Sequence, residues 1–127
     1  MEPAKKLEDL VAWQLASELS DLIDEMVSHP AASRYSKLCD QISTSSASVA
    51  ANLAEGFGRF YPRANAGFVR IAKASLTETQ NHLQKGKSRR CWKAEDFTKA
   101  WRLSCRTMKA IVPYLRYLER CDRKGPG

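Results

Sequence analysis

Residues 94–118 read AEDFTKAWRLSCRTMKAIVPYLRYL. Within them Phe97, Trp101, Ser104, Met108, Ile111, Val112, Leu115 and Leu118 recur at steps of three, four and one, the spacing that brings side chains onto one face of an α-helix. Glu95 and Asp96 fall in the first turn, where the helix dipole favours negative charge. Pro113 lies inside the pattern; proline removes a backbone donor and crowds the preceding turn, so a kink is expected there.

The same period extends upstream. Phe68, Ile71, Ala72, Ser75, Leu76, Thr79 and Leu83 share a face of a third segment, which should stop at Gly86 among Lys85, Lys87, Arg89 and Arg90. A second segment places Leu38, Ile42, Val49, Leu53 and Phe57 at steps of four and seven, with Ser45 and Ser46 on the same face, and ends at Gly56, Gly58 and Pro62. The first runs Leu7, Leu10, Val11, Leu15, Leu19, Leu22, Ile23, Met26, Val27 and is stopped by Pro30. No stretch alternates with period two. Four amphipathic helices with connections of roughly 5 to 9 residues predict an all-α fold, an up-and-down antiparallel four-helix bundle.

A chain of 127 residues with 43% hydrophobic and 28% charged side chains matches one globular domain, expected over residues 1–124, with Gly125, Pro126 and Gly127 fraying. No apolar run approaches the ~18–20 residues that span a bilayer, and the polar N-terminus lacks a signal-like apolar core. A cytoplasmic location without membrane association is the expectation. Cys39, Cys91, Cys105 and Cys121 form no CxxC pair or compact ligand cluster, so free thiols and no metal site are expected.

Charge is unevenly placed. Residues 1–30 hold two basic and seven acidic side chains, residues 31–84 six and three, and residues 85–127 thirteen and four. On the fourth helix Lys99, Arg102, Arg106, Lys109, Arg116, Arg120 and Arg123 recur at helical spacing on the side away from the core stripe. The row spans on the order of 36 Å at 1.5 Å per residue. No acidic residue lies between Phe97 and Leu118 to neutralise it. Such a row suits a polyphosphate backbone, RNA or DNA, with Lys87, Arg89 and Arg90 in the preceding loop as auxiliaries. The same cations could instead pair with Glu18, Asp21, Asp24 and Glu25 of the first helix, or with neighbouring subunits of a protein-interaction scaffold.

A second apolar line on the fourth helix, Leu103, Ala110, Tyr114, Tyr117 and Cys121, points away from the first, and Trp13 is out of phase with the core stripe of its own helix. Surplus aromatic residues suggest a subunit interface and hence a homo-oligomer; an over-wide core face is the alternative.

Signals for catalysis are weak. His29 precedes Pro30 and His82 lies near a helix end, neither in an acid–base or ligand motif. The run Ser43-Thr44-Ser45-Ser46-Ala47-Ser48 offers hydroxyls suited to close helix packing, and with Asn52 and Glu55 could form a ligand surface only if a pocket adjoined it. Gly56-Phe57-Gly58-Arg59 lacks a preceding strand and a phosphate-binding lysine, so it reads as a helix terminus. A non-enzymatic protein without cofactor is expected.

The block Gln41-Ile42 followed by Ala47-Ser48-Val49-Ala50-Ala51-Asn52-Leu53-Ala54-Glu55-Gly56 closely resembles the signature of the S23 or 23S rRNA intervening-sequence protein family of four-helix bundles. Leu7-Glu8-Asp9-Leu10-Val11-Ala12-Trp13-Gln14 resembles its N-terminal motif and Ile71-Ala72-Lys73-Ala74-Ser75-Leu76-Thr77-Glu78-Thr79 its third-helix motif. The resemblance covers roughly residues 7–84; where the family usually carries arginines soon after the glutamine, this chain has Ser43 and Thr44. It implies an up-and-down antiparallel bundle assembling as a ring-like homopentamer. The Ser43 and Thr44 departure throws the weight of any nucleic-acid role onto the fourth-helix stripe.

Overall fold

The computed structural model describes residues 3–123, Arg123 by its backbone alone, so the expected fraying of Gly125, Pro126 and Gly127 lies outside the described residues. A 3-10 turn at Leu7–Asp9 leads into α1 (Val11–Val27). A second 3-10 turn at Ser33–Tyr35 runs directly into α2 (Ser36–Phe57), followed by α3 (Pro62–Ser88) and α4 (Ala94–Arg123). No strand is present among the described residues. Each helix packs on two others, α1 on α2 and α4, and α3 on α2 and α4. Contacts pair the start of one helix with the end of the next. Ser45 meets Thr79 and Ser48 meets Ser75 across α2 and α3; Gln80 meets Ser104 and Arg70 meets Glu119 across α3 and α4. The bundle is therefore antiparallel throughout these pairs.

The core is built from the stripes that the spacing marks. Leu19 and Ile23 of α1, Ile42, Val49 and Leu53 of α2, Val69, Leu76 and Leu83 of α3, and Ile111 of α4 are all buried. Each such aliphatic side chain contributes about 1.5–3 kcal/mol by leaving water. Between α2 and α3 the interior is polar and small. Ser45 Oγ and Thr79 Oγ1 are 2.8 Å apart, as are the Ser48 and Ser75 hydroxyls, and Asn52 Nδ2 donates to the Ser48 carbonyl at 2.8 Å. Paired hydroxyls cost little to bury and allow the backbones a close approach.

Gly56 completes that approach in the last turn of α2. A Cβ there would lie 2.6 Å from Asn65 Oδ1 and 2.9 Å from Phe68 Cβ. Pro62 does not merely follow a stop; it opens α3, where its missing N–H would have no helical partner in any case. α4 runs unbroken through Pro113.

The expected stop at Gly86 is corrected, because α3 continues through it to Ser88. Gly86 is buried and serves contact: a Cβ would sit 2.1 Å from the Trp92 ring, whose Nε1 donates to the Leu83 carbonyl at 3.1 Å. The helix ends two residues later. Cys91 N–H bonds Gly86 O at 2.8 Å and Arg90 N–H bonds Lys87 O at 3.0 Å, with Arg90 left-handed at φ 58°. These two bonds cap carbonyls that helix termination leaves free.

Gly86→Ala is expected to lower stability by about 1–3 kcal/mol by driving the indole from its seat. Gly67→Ala, also in α3 but with nothing within 4 Å of the added methyl, should raise it by about 0.5–1 kcal/mol. Urea unfolding followed by circular dichroism measures both.

Candidate nucleic-acid interface

One face of α4 is committed to the core. Phe97, Ala100, Ser104, Thr107, Ile111, Leu115 and Leu118 are buried, and the period of 3.6 then carries Lys99, Arg102, Arg106, Lys109, Arg116 and Arg120 to the opposite side, where all six are exposed. From Lys99 to Arg120 the row covers about 32 Å. The side chain of Arg123 lies outside the described residues.

Neutralisation within the chain takes place elsewhere. Among the described residues, Arg70 pairs with Glu119 at 2.9 Å and Arg63 with Asp122 at 3.5 Å. The two acids in the C-terminal part of α4 are thus turned toward arginines of α3. No stripe cation lies within ion-pair distance of Glu18, Asp21, Asp24 or Glu25 among the described pairs, and those four acids are exposed on α1. Exposed pairs of this kind contribute about 0–1 kcal/mol each, so their value is in where they leave the charge.

The auxiliary cations need correction in their placement. Lys87 belongs to the last turn of α3, its ammonium 4.6 Å from the centre of the Phe97 ring. Arg89 caps the helix, and its carbonyl accepts the Tyr35 hydroxyl at 3.3 Å. Arg90 takes the left-handed position usually held by glycine. The Tyr35 bond draws the α1–α2 connection to this corner, and with it Arg34, whose guanidinium lies 5.6 Å from the Tyr35 ring centre. Arg34 was not picked out from sequence, since only the fold brings it beside Arg89. Lys85 and Lys93, also exposed at the α3–α4 corner, add to the same cluster.

The second apolar line borders the core on one side of α4. Leu103, Ala110, Tyr114, Tyr117 and Trp13 are half-buried and pack against the core of their own chain. Ala110, Tyr114 and Tyr117 face a groove of about 880 Å³ at the bundle end, shared with Leu10, Val11 and Phe57. The core face of α4 is wider than one stripe because the segment leading into α1 packs beside it. Asn65 Nδ2 donates to the Tyr114 hydroxyl at 2.9 Å, and burial pushes the Tyr114 phenol above its ordinary pKa, partly offset by that bond.

The remaining polar groups are engaged locally. Asn52 bonds Ser48, and Glu55 pairs with Arg59; neither lines the end groove or the shallow depression between α3 and α4. His29 Nδ1 accepts the Ala31 N–H at 3.1 Å, while His82 is buried with its Nε2 3.9 Å from Glu78 Oε1. All four cysteines are free thiols; burial raises the pKa of Cys39 and Cys91, which keeps them protonated and poorly nucleophilic. Among the described residues no three His, Cys, Asp or Glu side chains converge as metal ligands, and no helix is long and apolar enough to cross a membrane.

Comparison with known families matches residues 8–113 to the 23S rRNA-intervening sequence protein family. The matched span takes in α1 to α3 and α4 as far as Pro113, including Lys99, Arg102, Arg106 and Lys109. A search of curated proteins returns no match.

Arg90→Gly is expected to stabilise the fold by about 1 kcal/mol, because a left-handed residue with a Cβ carries roughly that cost. Thermal and urea unfolding read the change; a loss of stability would show that the Arg90 side chain holds the corner in place.

Proposed function

The chain belongs to the 23S rRNA-intervening sequence protein family, and we propose that it is a non-enzymatic, RNA-associated bundle that holds nucleic acid on the α4 stripe without reading base sequence. The observation that carries this reading is the row of six exposed cations over about 32 Å with no acidic ion-pair partner among the described residues. Phosphates of RNA or DNA repeat along a similar line, and each contact releases condensed counterions. Arg102, Arg106 and Lys109 form its centre; Arg116 and Arg120 extend it past Pro113, and Lys87, Arg89 and Arg90 with Arg34 extend it around the α3–α4 corner.

The proposal includes assembly in the cytoplasm as a homo-oligomer, with a ring-like pentamer as the family resemblance implies. The half-buried Trp13, Leu103, Tyr114 and Tyr117 supply apolar surface for subunit contact. Repetition of the stripe around a ring would turn weak single contacts into tight attachment through effective concentration.

One observation favours a second reading. Glu18, Asp21, Asp24 and Glu25 remain exposed and without an intrachain ion pair among the described residues, so the α4 stripe of one subunit could dock on α1 of the next in a protein-interaction scaffold.

Charge reversal separates the two. Under the first reading, the double variant Arg102→Glu, Arg106→Glu should lose on the order of 100-fold in affinity for a short RNA or DNA duplex at low salt. Its slope of log affinity against log salt should fall by about two, with circular dichroism and assembly mass unchanged. Fluorescence anisotropy and light scattering measure these. Loss of the assembly with no nucleic-acid binding by the wild-type protein would instead select the scaffold.

A further inference from the structure

Two aromatic rings stand in water at the turn between α2 and α3. Phe60 is 86% exposed and Tyr61 52%. Their ring centres are 5.0 Å apart at an interplanar angle of 86°, so the Tyr61 ring buttresses the Phe60 ring edge-to-face. Phenylalanine gains nothing for the fold by standing in water. From Gly56 to Thr77 the charged residues are Arg59, Arg63, Arg70 and Lys73, and the nearest acid in sequence, Glu55, is paired with Arg59. Arg59 is turned back over the Phe68 ring at 4.8 Å, leaving the Phe60 face uncovered by it. Arg63, its side chain 84% exposed, reaches Asp122 on α4 at 3.5 Å, two residues beyond Arg120. The turn therefore stands at the same end of the bundle as the C-terminal end of the α4 stripe.

We propose that Phe60, held by Tyr61, is a stacking platform for an unpaired base, and that the nucleic acid bound by this protein is single-stranded where it leaves the α4 stripe. The inference rests on the nucleic-acid reading above and adds a ligand class to it. Single-strand binders join a cationic track for the backbone to an exposed aromatic face for the bases. The α4 stripe is such a track, and the turn supplies the face that α4 lacks. A loosely paired Arg63 can exchange Asp122 for a phosphate at little cost, since the pair is open to water. A folded protein partner fits less well: two exposed rings offer at most a few hundred Å², against the ~800 Å² per side of a stable interface. Duplex ends and stacked helices offer a ring only their terminal base pair, so the preference should be for unpaired strands.

Phe60→Ala and Phe60→Trp test this, compared with wild type against a labelled twelve-residue oligouridine and an RNA duplex of equal length, by anisotropy at several salt concentrations. Being exposed, Phe60 can be replaced without unfolding, which circular dichroism and urea unfolding confirm. Phe60→Ala is expected to weaken oligouridine binding about 5- to 100-fold while leaving duplex affinity and the salt slope unchanged. Phe60→Trp should restore the affinity and have its fluorescence quenched by oligouridine but not by duplex. Unchanged oligouridine affinity in Phe60→Ala, or equal loss on both probes, overturns the proposal while leaving the stripe intact. Dissociation of the assembly by Phe60→Ala, read by light scattering, overturns it in favour of a subunit contact. If the wild-type protein binds neither probe, both readings fall together.

Discussion

The close approach of α2 and α3 is the constraint on which the remaining geometry depends. It is set by what is missing from side chains more than by what is present: no Cβ at Gly56, and hydroxyls in place of aliphatic branches at Ser45, Ser48, Ser75 and Thr79. With the two backbones close, α3 presents Arg63, Arg70 and Gln80 to α4 at fixed height. The same register puts Asn65 against Tyr114 and so defines one wall of the end groove. Moving α3 outward by the width of a methyl group would disturb all of these together, because packed interiors have little room to absorb volume.

Electrostatic organisation follows from that register. The acids of the C-terminal part of α4 are drawn sideways to α3, leaving Arg116 and Arg120 without an ion-pair partner among the described residues, while the acids of α1 stay in solvent. Folding therefore sharpens the charge separation written along the chain instead of cancelling it. The surface has a cationic ridge on α4, a cationic corner at Arg34, Arg89 and Arg90, and an acidic face on α1.

How far these features could be read from sequence varied with the kind of signal. Helical spacing identified the stripes that contain Leu19, Ile23, Ile42, Leu76 and Ile111, since burial repeats with the helix period. Exposure of Lys99 to Arg120 followed from the same period. Gly86 misled because a breaker rule weighs conformational freedom and does not see the Trp92 indole that needs the space. Spacing alone leaves the tyrosines of α4 open between a wider core face and a subunit contact, because their packing beside the N-terminal segment depends on the fold. Arg34 joined the basic corner through Tyr35, a contact across 54 positions. Phe60 belonged to no periodic run, so nothing in its spacing distinguished a ring in water from one in the core.

Helix order has a kinetic side. Three of the four packed pairs, α1 with α2, α2 with α3 and α3 with α4, join neighbours in sequence, and only α1 with α4 closes over the whole chain. Low average separation of contacts favours rapid folding, on the microsecond to millisecond scale for helical bundles. Hairpins of adjacent helices can form while the ends are apart, and loop-closure entropy falls mainly on the last step. In that step an N-terminal segment with seven acids and two bases meets a C-terminal segment with thirteen bases and four acids. Their long-range attraction draws the ends together before any side chains touch, and it weakens as salt shortens the Debye length. The uneven charge that leaves α4 available to an anionic partner thus also guides the chain to its own closure.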